Sequence, residues 1–184
     1  MSTKLSVPSC GHCLKVVMNN WHKHIGVYGL AINIDNKILV INKVNGPYRK
    51  RYDVPGGTLN KDESIKECLI REFMEETGYS ILKMKTCGVY DFLVNTPYGN
   101  CEYTHHIAFF YFVDVISVVG EVEKYVGADN DIETNDSESA EWIDLRSICY
   151  ENASPLLCKA KNVLDGVENG FEISLELDWK VMDK

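Results

Sequence analysis

The stretch GGTLNKDESIKECLIREFMEETGY, residues 56–79, joins a glycine pair to a run of helix-forming residues that is rich in glutamate. Ser64, followed three positions later by Glu67, has the pattern of a helix capping box, and Gly78 stands where a helix C-cap is expected. The pattern therefore predicts a helix over residues 64–77 that directly follows a glycine-containing loop.

Three glutamates of the predicted helix, Glu72, Glu75 and Glu76, fall within about one 100° arc, because positions three and four apart share a helix face. This arc overlaps the apolar stripe that contains Cys68 and Leu69. Like charges at the edge of a core repel one another and resist desolvation, and a bound cation relieves both costs. Oxygen ligands favour Mg²⁺ or Mn²⁺ over softer metals. Taken alone, the same string is also compatible with a solvated helix face.

The spacing of these residues resembles the Nudix box, Gly-x5-Glu-x7-Arg-Glu-U-x-Glu-Glu-x-Gly-U, in which U is a bulky apolar residue. Aromatic residues stand at two positions where aliphatic residues are commoner, Phe73 and Tyr79. The complete match consists of Gly57, Glu63, Arg71, Glu72, Phe73, Glu75, Glu76, Gly78 and Tyr79. The order of elements around the box is also similar to that of the Nudix fold.

The resemblance implies an enzyme of the MutT-like pyrophosphohydrolase type. Such an enzyme would hydrolyse a nucleoside diphosphate linked to another moiety, as in a nucleoside triphosphate or a nucleotide sugar, by water attack at phosphorus with Mg²⁺ or Mn²⁺. The metal ligands implied are the Gly57 carbonyl, Glu72, Glu75 and Glu76. Arg71 would act in catalysis by orienting a carboxylate through a salt bridge. Glu63 would anchor the loop or hold a second metal.

The general base is not determined by the box. Glu72 and Glu75 are the local candidates. The acidic stretch 120–139 offers further ones, with a solvated loop charge as the alternative for each of them: Glu121, Glu123, Asp129, Asp131, Glu133 and Glu138.

The substrate contacts are expected just before the box. Lys43 ends a predicted strand, and Arg51 and Tyr52 lie in the loop that leads to the glycine pair. A loop cation near a metal site can bind a phosphate, and a tyrosine can stack on a base, although surface solvation and packing are the ordinary roles of such residues. The motifs of coenzyme A and NADH-cleaving members are absent, so the nucleotide stays unspecified.

The strands and helices predicted in the rest of the chain indicate a mixed α/β sandwich. The resemblance implies an α+β fold, a Nudix-type α/β/α sandwich with a mixed sheet, two main helices and an extra C-terminal strand. A tight hairpin at Asp35-Asn36 is expected between the first two strands. The predicted strands are 25–34, 37–44, 86–95, 102–116 and 140–145, and the second helix is 154–167. Three segments are expected: an N-terminal extension (1–24), the Nudix domain (25–170) and a terminal strand (171–184), which packs on the same domain or pairs with a second copy in a homodimer.

The charge balance bears on the class of partner. The 184 residues include 19 Lys+Arg and 27 Asp+Glu, a formal net charge of −8. This field disfavours a surface that grips duplex nucleic acid, but a bound cation can still attract the phosphates of a small nucleotide. A non-catalytic Nudix-fold nucleotide-binding sensor is the alternative function, and the complete glutamate set argues against it.

The cysteines and the apolar runs bear on location. Seven cysteines form no regular framework, and no apolar run reaches the ~18 residues of a membrane span. A cytoplasmic protein without membrane contacts is therefore expected. Cys10 and Cys13 resemble a redox motif but lack a preceding strand, and a zinc site with nearby histidines or an ordinary reduced pair remain the alternatives.

Overall fold

A computed structural model describes residues 21–117, 137–167 and 173–176 of the chain. Its strands and helices, in chain order, are β1 (Trp21–Leu30), β2 (Lys37–Lys43), β3 (Tyr52–Asp53), β4 (Gly56–Thr58), α1 (Ile65–Thr77), β5 (Tyr79–Val94), β6 (Tyr103–Ser117), β7 (Ser137–Asp144), α2 (Pro155–Leu164) and β8 (Ile173–Glu176). A single 3₁₀ turn, Leu145–Ser147, follows β7.

The strands form two sheets. The larger sheet has the order β4-β1-β6-β5-β8, and the smaller has the order β3-β2-β7. The larger sheet is mixed, because β1 runs parallel to β6 and β8 runs parallel to β5, whereas β5 and β6 are antiparallel. The expectation of an α+β fold with a mixed sheet and two helices is confirmed.

The helices pack through two separate apolar clusters. Leu69 and Phe73 of α1 are fully buried in one cluster with Val27 of β1 and Leu39 of β2. The apolar residues of α2, among them Leu156, belong to the other cluster, which also contains aromatic residues of β5 and β6. Burying a leucine or phenylalanine side chain contributes about 2 kcal/mol, so these contacts hold each helix firmly in place.

The predicted limits of the first helix are confirmed. The Ser64 hydroxyl accepts a hydrogen bond from the Glu67 backbone N–H, and the Glu67 carboxylate accepts one from the Ser64 backbone N–H. Gly78 ends α1 in the left-handed conformation, with φ of 70°. The residue after the cap, Tyr79, already belongs to β5, so that strand starts well before the predicted residue 86.

The predicted tight hairpin between the first two strands is confirmed at its turn, where Ile32 and Ile38 form an antiparallel bridge. The chain does turn at Asn36, and the Leu39 N–H donates to the Ala31 carbonyl. However, β1 pairs with β4 and β6, whereas β2 pairs with β3 and β7, so the two strands belong to different sheets. The strand β1 also begins at Trp21 rather than at residue 25, because residues 21–24 pair with the start of β6.

The terminal strand joins the sheet of its own chain at residues 173–176, where β8 pairs with β5. The homodimer and the three segment boundaries stay predictions. Cys10, Cys13 and most of the acidic stretch lie outside the described residues. Neither helix in the described ranges is long and apolar enough to cross a membrane.

Candidate active site

The glycine pair places the backbone of β4 directly against β1 and α1. Gly56 pairs with Tyr28 of β1, and a Cβ atom on Gly56 would lie 2.1 Å from the Val27 carbonyl oxygen. A Cβ atom on Gly57 would lie 2.5 Å from the carboxyl carbon of Glu72. Only glycine allows this close approach, so the loop backbone and the helix carboxylate are neighbours because of the two glycines.

Arg71 binds three carboxylates at once. Its Nε and Nη2 donate to the two oxygens of Glu63, at 3.0 and 2.7 Å. Its Nη1 donates to Glu72 at 2.8 Å and to Glu75 at 3.3 Å. The bidentate pair with Glu63 fixes the plane of the guanidinium, and the guanidinium in turn fixes the carboxylates of the helix.

Glu76 points in a different direction and is buried. Its side chain is 7% exposed, accepts a hydrogen bond from the Gly56 backbone N–H at 2.8 Å, and lies 3.7 Å from the Lys43 ammonium. Burial raises the pKa of Glu76 to about 8, although the Lys43 charge and the Gly56 N–H act in the opposite direction. Lys43 lies at an irregularity in the β2–β7 ladder, a kind of feature that changes the direction of a side chain.

These residues offer a donor set of carboxylate and carbonyl oxygens, the ligands that Mg²⁺ and Mn²⁺ prefer. In the described part of the chain, no three His, Cys, Asp or Glu side chains converge as a ready metal-binding group. Arg71 is the partner of Glu72 and Glu75, whereas Gly56 and Lys43 are the partners of Glu76. The residues therefore fit a divalent cation in the chemistry of their donor atoms.

The side chains of His24, His106, Tyr28 and Tyr48 form a histidine–tyrosine cluster next to β4. The Tyr28 hydroxyl is 2.7 Å from Nε2 of His106 and 3.5 Å from Nε2 of His24, and the Tyr48 hydroxyl is 3.4 Å from Nδ1 of His106. Burial lowers the pKa of His24 to about 4 and that of His106 well below its usual range, and the Lys43 charge adds to both shifts. Both imidazoles are therefore neutral at neutral pH.

A family model described as the NUDIX domain matches residues 22–161. This chain belongs to the NUDIX family. A protein named ADP-ribose pyrophosphatase from Methanocaldococcus jannaschii is 34% identical over 128 residues, a match that covers 69% of this chain and 65% of that protein. The chain thus spans slightly less than two thirds of the length of this relative.

Solved structures share the Nudix fold at low sequence identity. A MutT NUDIX hydrolase from Burkholderia pseudomallei is 19% identical, with a TM-score of 0.57 over 78% of this chain and 98% of that chain. A NUDIX hydrolase from Nitrosomonas europaea is 21% identical, with a TM-score of 0.56 over 79% and 90% of the two chains.

The structure collects the Nudix-box residues around one loop but separates the predicted substrate contacts. Lys43 lies beside Glu76, within the group. The Arg51 guanidinium is buried and donates to the carbonyls of Tyr150 and Ala153, ahead of α2. Tyr52 is hydrogen-bonded through its side chain to Glu141 of β7, and desolvation, followed by the charge and hydrogen bond of Glu141, raises the pKa of Tyr52.

The histidine–tyrosine cluster next to β4 did not follow from the sequence. The predicted strand 102–116 contains His106, but the predicted extension 1–24 contains His24, so the sequence places only one of these two histidines in the sheet. The alternation of His22, His24 and Tyr28 along one face of an extended strand is the signal that would have found it.

Proposed function

We propose that this chain is a metal-dependent pyrophosphohydrolase that cleaves a nucleoside diphosphate linked to another moiety. One observation carries the proposal: the Gly57 backbone lies directly against the Glu72 carboxylate. On the same helix, Arg71 holds Glu72 and Glu75. The loop backbone and the helix carboxylates are thereby neighbours, as a shared cation site would require.

The residues that would hold Mg²⁺ or Mn²⁺ are Glu72, Glu75, Glu76 and the Gly57 carbonyl. When bound, the cation would neutralise charge on the phosphate oxygens and lower the pKa of a water molecule. The choice between Mg²⁺ and Mn²⁺ is left to the assay below, because both take oxygen ligands of this kind.

The protein side chains would supply positioning and a proton acceptor. Arg71 is a positioning residue, because its contacts are with carboxylates of the box. Glu75 is the most exposed of the three helix carboxylates, at 49%, and is the local candidate for accepting the proton of the attacking water. Lys43 would leave Glu76 and pair with a substrate phosphate, where its charge offsets that of the oxygens.

ADP-ribose is the first substrate to test. The relative that matches 69% of this chain at 34% identity carries the name ADP-ribose pyrophosphatase. ADP-ribose also has the required chemistry, since it is a nucleoside diphosphate linked to a second sugar.

The decisive experiment is a hydrolysis assay with Mg²⁺ or Mn²⁺ over ADP-ribose, nucleotide sugars, dinucleotides and nucleoside triphosphates. We expect one class to be cleaved, and we expect Glu76→Gln to lower kcat/KM on the order of 100-fold, because it removes a ligand charge. Glu67→Gln is the matched control, since Glu67 lies on the same helix but only caps its start.

Two results would contradict the proposal. Turnover that is unaffected by Glu76→Gln would show that the box carboxylates are not used. Tight nucleotide binding without turnover of any compound would favour the non-catalytic sensor instead.

A further inference from the structure

Cys68 is a fully buried residue of α1 whose thiol faces the backbone of the glycine loop. Its Sγ atom is 3.4 Å from the carbonyl oxygen of Thr58 and 3.8 Å from the carbonyl oxygen of Gly57. A carbonyl oxygen has no proton to donate, so the thiol is the donor in both contacts. The thiol therefore links the helix to the two loop residues that lie beside the box carboxylates.

The surroundings of this thiol keep it in its protonated form. Burial raises the pKa of Cys68 to about 12, and the nearby carboxylates of Glu63 and Glu72 act in the same direction, although the charge of Arg71 opposes them. A thiolate would have nothing to donate to the carbonyls. The neutral thiol is therefore the form that matches its oxygen neighbours.

The loop next to this thiol is also held by other side chains of the Nudix box. Nη2 of Arg71 donates to the Thr58 carbonyl at 3.4 Å. The Glu63 carboxylate accepts a hydrogen bond from the Asn60 backbone N–H at 2.9 Å. The Cys68 thiol adds a donor that reaches the Gly57 carbonyl as well. These contacts together fix the backbone of residues 57–60 against α1.

The position of the sulfur atom is itself fixed by the core. Cys68 belongs to the same apolar cluster as Leu69 and Phe73 of α1 and Val27 of β1. A donor on a packed helix holds its acceptors more precisely than a donor on a loop. A buried cysteine also packs like a small apolar residue, so the hydrogen bond is what distinguishes a positioning role from simple packing.

We propose that Cys68 is a positioning residue whose thiol orients the Gly57 and Thr58 carbonyls, so that the Gly57 carbonyl can serve as a metal ligand. This inference rests on the proposed function, in which the Gly57 carbonyl binds the cation. A carbonyl oxygen has two lone pairs, so it can accept the thiol proton and still offer one lone pair to a cation. Partners of this kind commonly change metal affinity by about tenfold or more.

The test measures Mn²⁺ binding to the full chain by calorimetry, without any nucleotide. Alanine and serine are similar in size and differ by one oxygen atom, so they separate the hydrogen bond from packing. We expect Cys68→Ala to weaken Mn²⁺ binding about tenfold and Cys68→Ser to restore most of the affinity. Cys87→Ala is the matched control, because Cys87 is a half-buried cysteine of β5 whose thiol lies 3.9 Å from the Tyr90 hydroxyl.

A second measurement observes the hydrogen bond in the unaltered chain. The S–H stretching band in a Raman spectrum moves to lower frequency when the thiol donates, and subtraction of the Cys68→Ser spectrum isolates the band of Cys68. We expect the frequency of a hydrogen-bonded thiol.

Two results would overturn the positioning role. One is equal Mn²⁺ affinity in Cys68→Ala and Cys68→Ser, and the other is a Cys68 band at the frequency of a free thiol. If Mn²⁺ affinity follows the donor at residue 68 but no compound is hydrolysed, the positioning role stands and the proposed hydrolysis fails.

Discussion

The two helices of this protein start in the same way and serve different purposes. Both are capped by a serine whose hydroxyl accepts the backbone N–H three residues later, Ser64 in α1 and Ser154 in α2. Ser64 is exposed, and its hydroxyl also donates a hydrogen bond to the side-chain carboxylate of Glu67, within the same turn. Ser154 is buried and donates to Asp53, 101 residues earlier in the chain, at 2.5 Å.

The same kind of serine cap therefore makes contacts only within its own turn in α1 but links α2 to a distant strand. The α1 cap is complete within four residues, which frees the rest of the helix to present Arg71 and its carboxylates to the loop. The α2 cap depends on a buried carboxylate from β3, and it ties that helix to the smaller sheet. Changes in α1 should therefore affect activity, and changes at the start of α2 should affect stability.

The largest effect is expected from Arg71. We expect Arg71→Met to lower kcat on the order of 100-fold, because Glu72 and Glu75 lose the group that orients them. Arg71→Lys, which keeps the charge without the planar fork, should fall between this variant and the unaltered chain. Steady-state kinetics on the cleaved substrate measures both.

The cap of α2 provides the control for this prediction. Ser154→Ala should keep kcat within a few fold, since it changes only the α2 cap. A full kcat in Arg71→Met would contradict the positioning role of Arg71 and would remove the functional difference between the helices.

An intermediate effect is expected from the caps. Ser154→Ala should lower the free energy of unfolding by about 2 kcal/mol, because it removes the cap and leaves the buried Asp53 carboxylate without one of its donors. Ser64→Ala should cost about 1 kcal/mol or less, since water replaces its contacts. Urea denaturation of both variants gives the two values. Equal losses would show that the link to β3 adds nothing to the α2 cap.

The smallest effect is expected from the pH dependence of stability at Asp53. Burial raises the pKa of Asp53 in the folded chain above the 3.8 of an ordinary aspartate, although Lys43, Ser154 and Val54 act in the opposite direction. The folded state therefore binds this proton more tightly than the unfolded state. Its contribution to stability is fully present below the unfolded pKa and is lost as pH rises through the folded pKa.

Asp53→Asn removes this titration. We expect the free energy of unfolding of the variant, relative to the unaltered chain, to increase between acidic and neutral pH. Urea denaturation at both pH values measures the difference, and a constant offset between the two proteins would contradict the raised pKa.

Residues 56–79 contain most of what the sequence determined by itself. The limits of α1, its capping box and its C-cap follow from contacts within four residues of one another, so they can be derived from the sequence alone. The shared helix face of the box carboxylates follows from helical spacing in the same way. The family also follows from this stretch, because the box has a fixed pattern.

Tertiary structure determined the contacts between residues that are far apart in the sequence. The parallel register of β1 and β6 brings His24 beside His106, and no local pattern specifies that register. The same holds for Arg51, whose guanidinium is buried against carbonyls about 100 residues later, and for the link between Ser154 and Asp53. Strand pairing and burial are settled by the packing of the whole domain, whereas helix caps are settled by their neighbours in sequence.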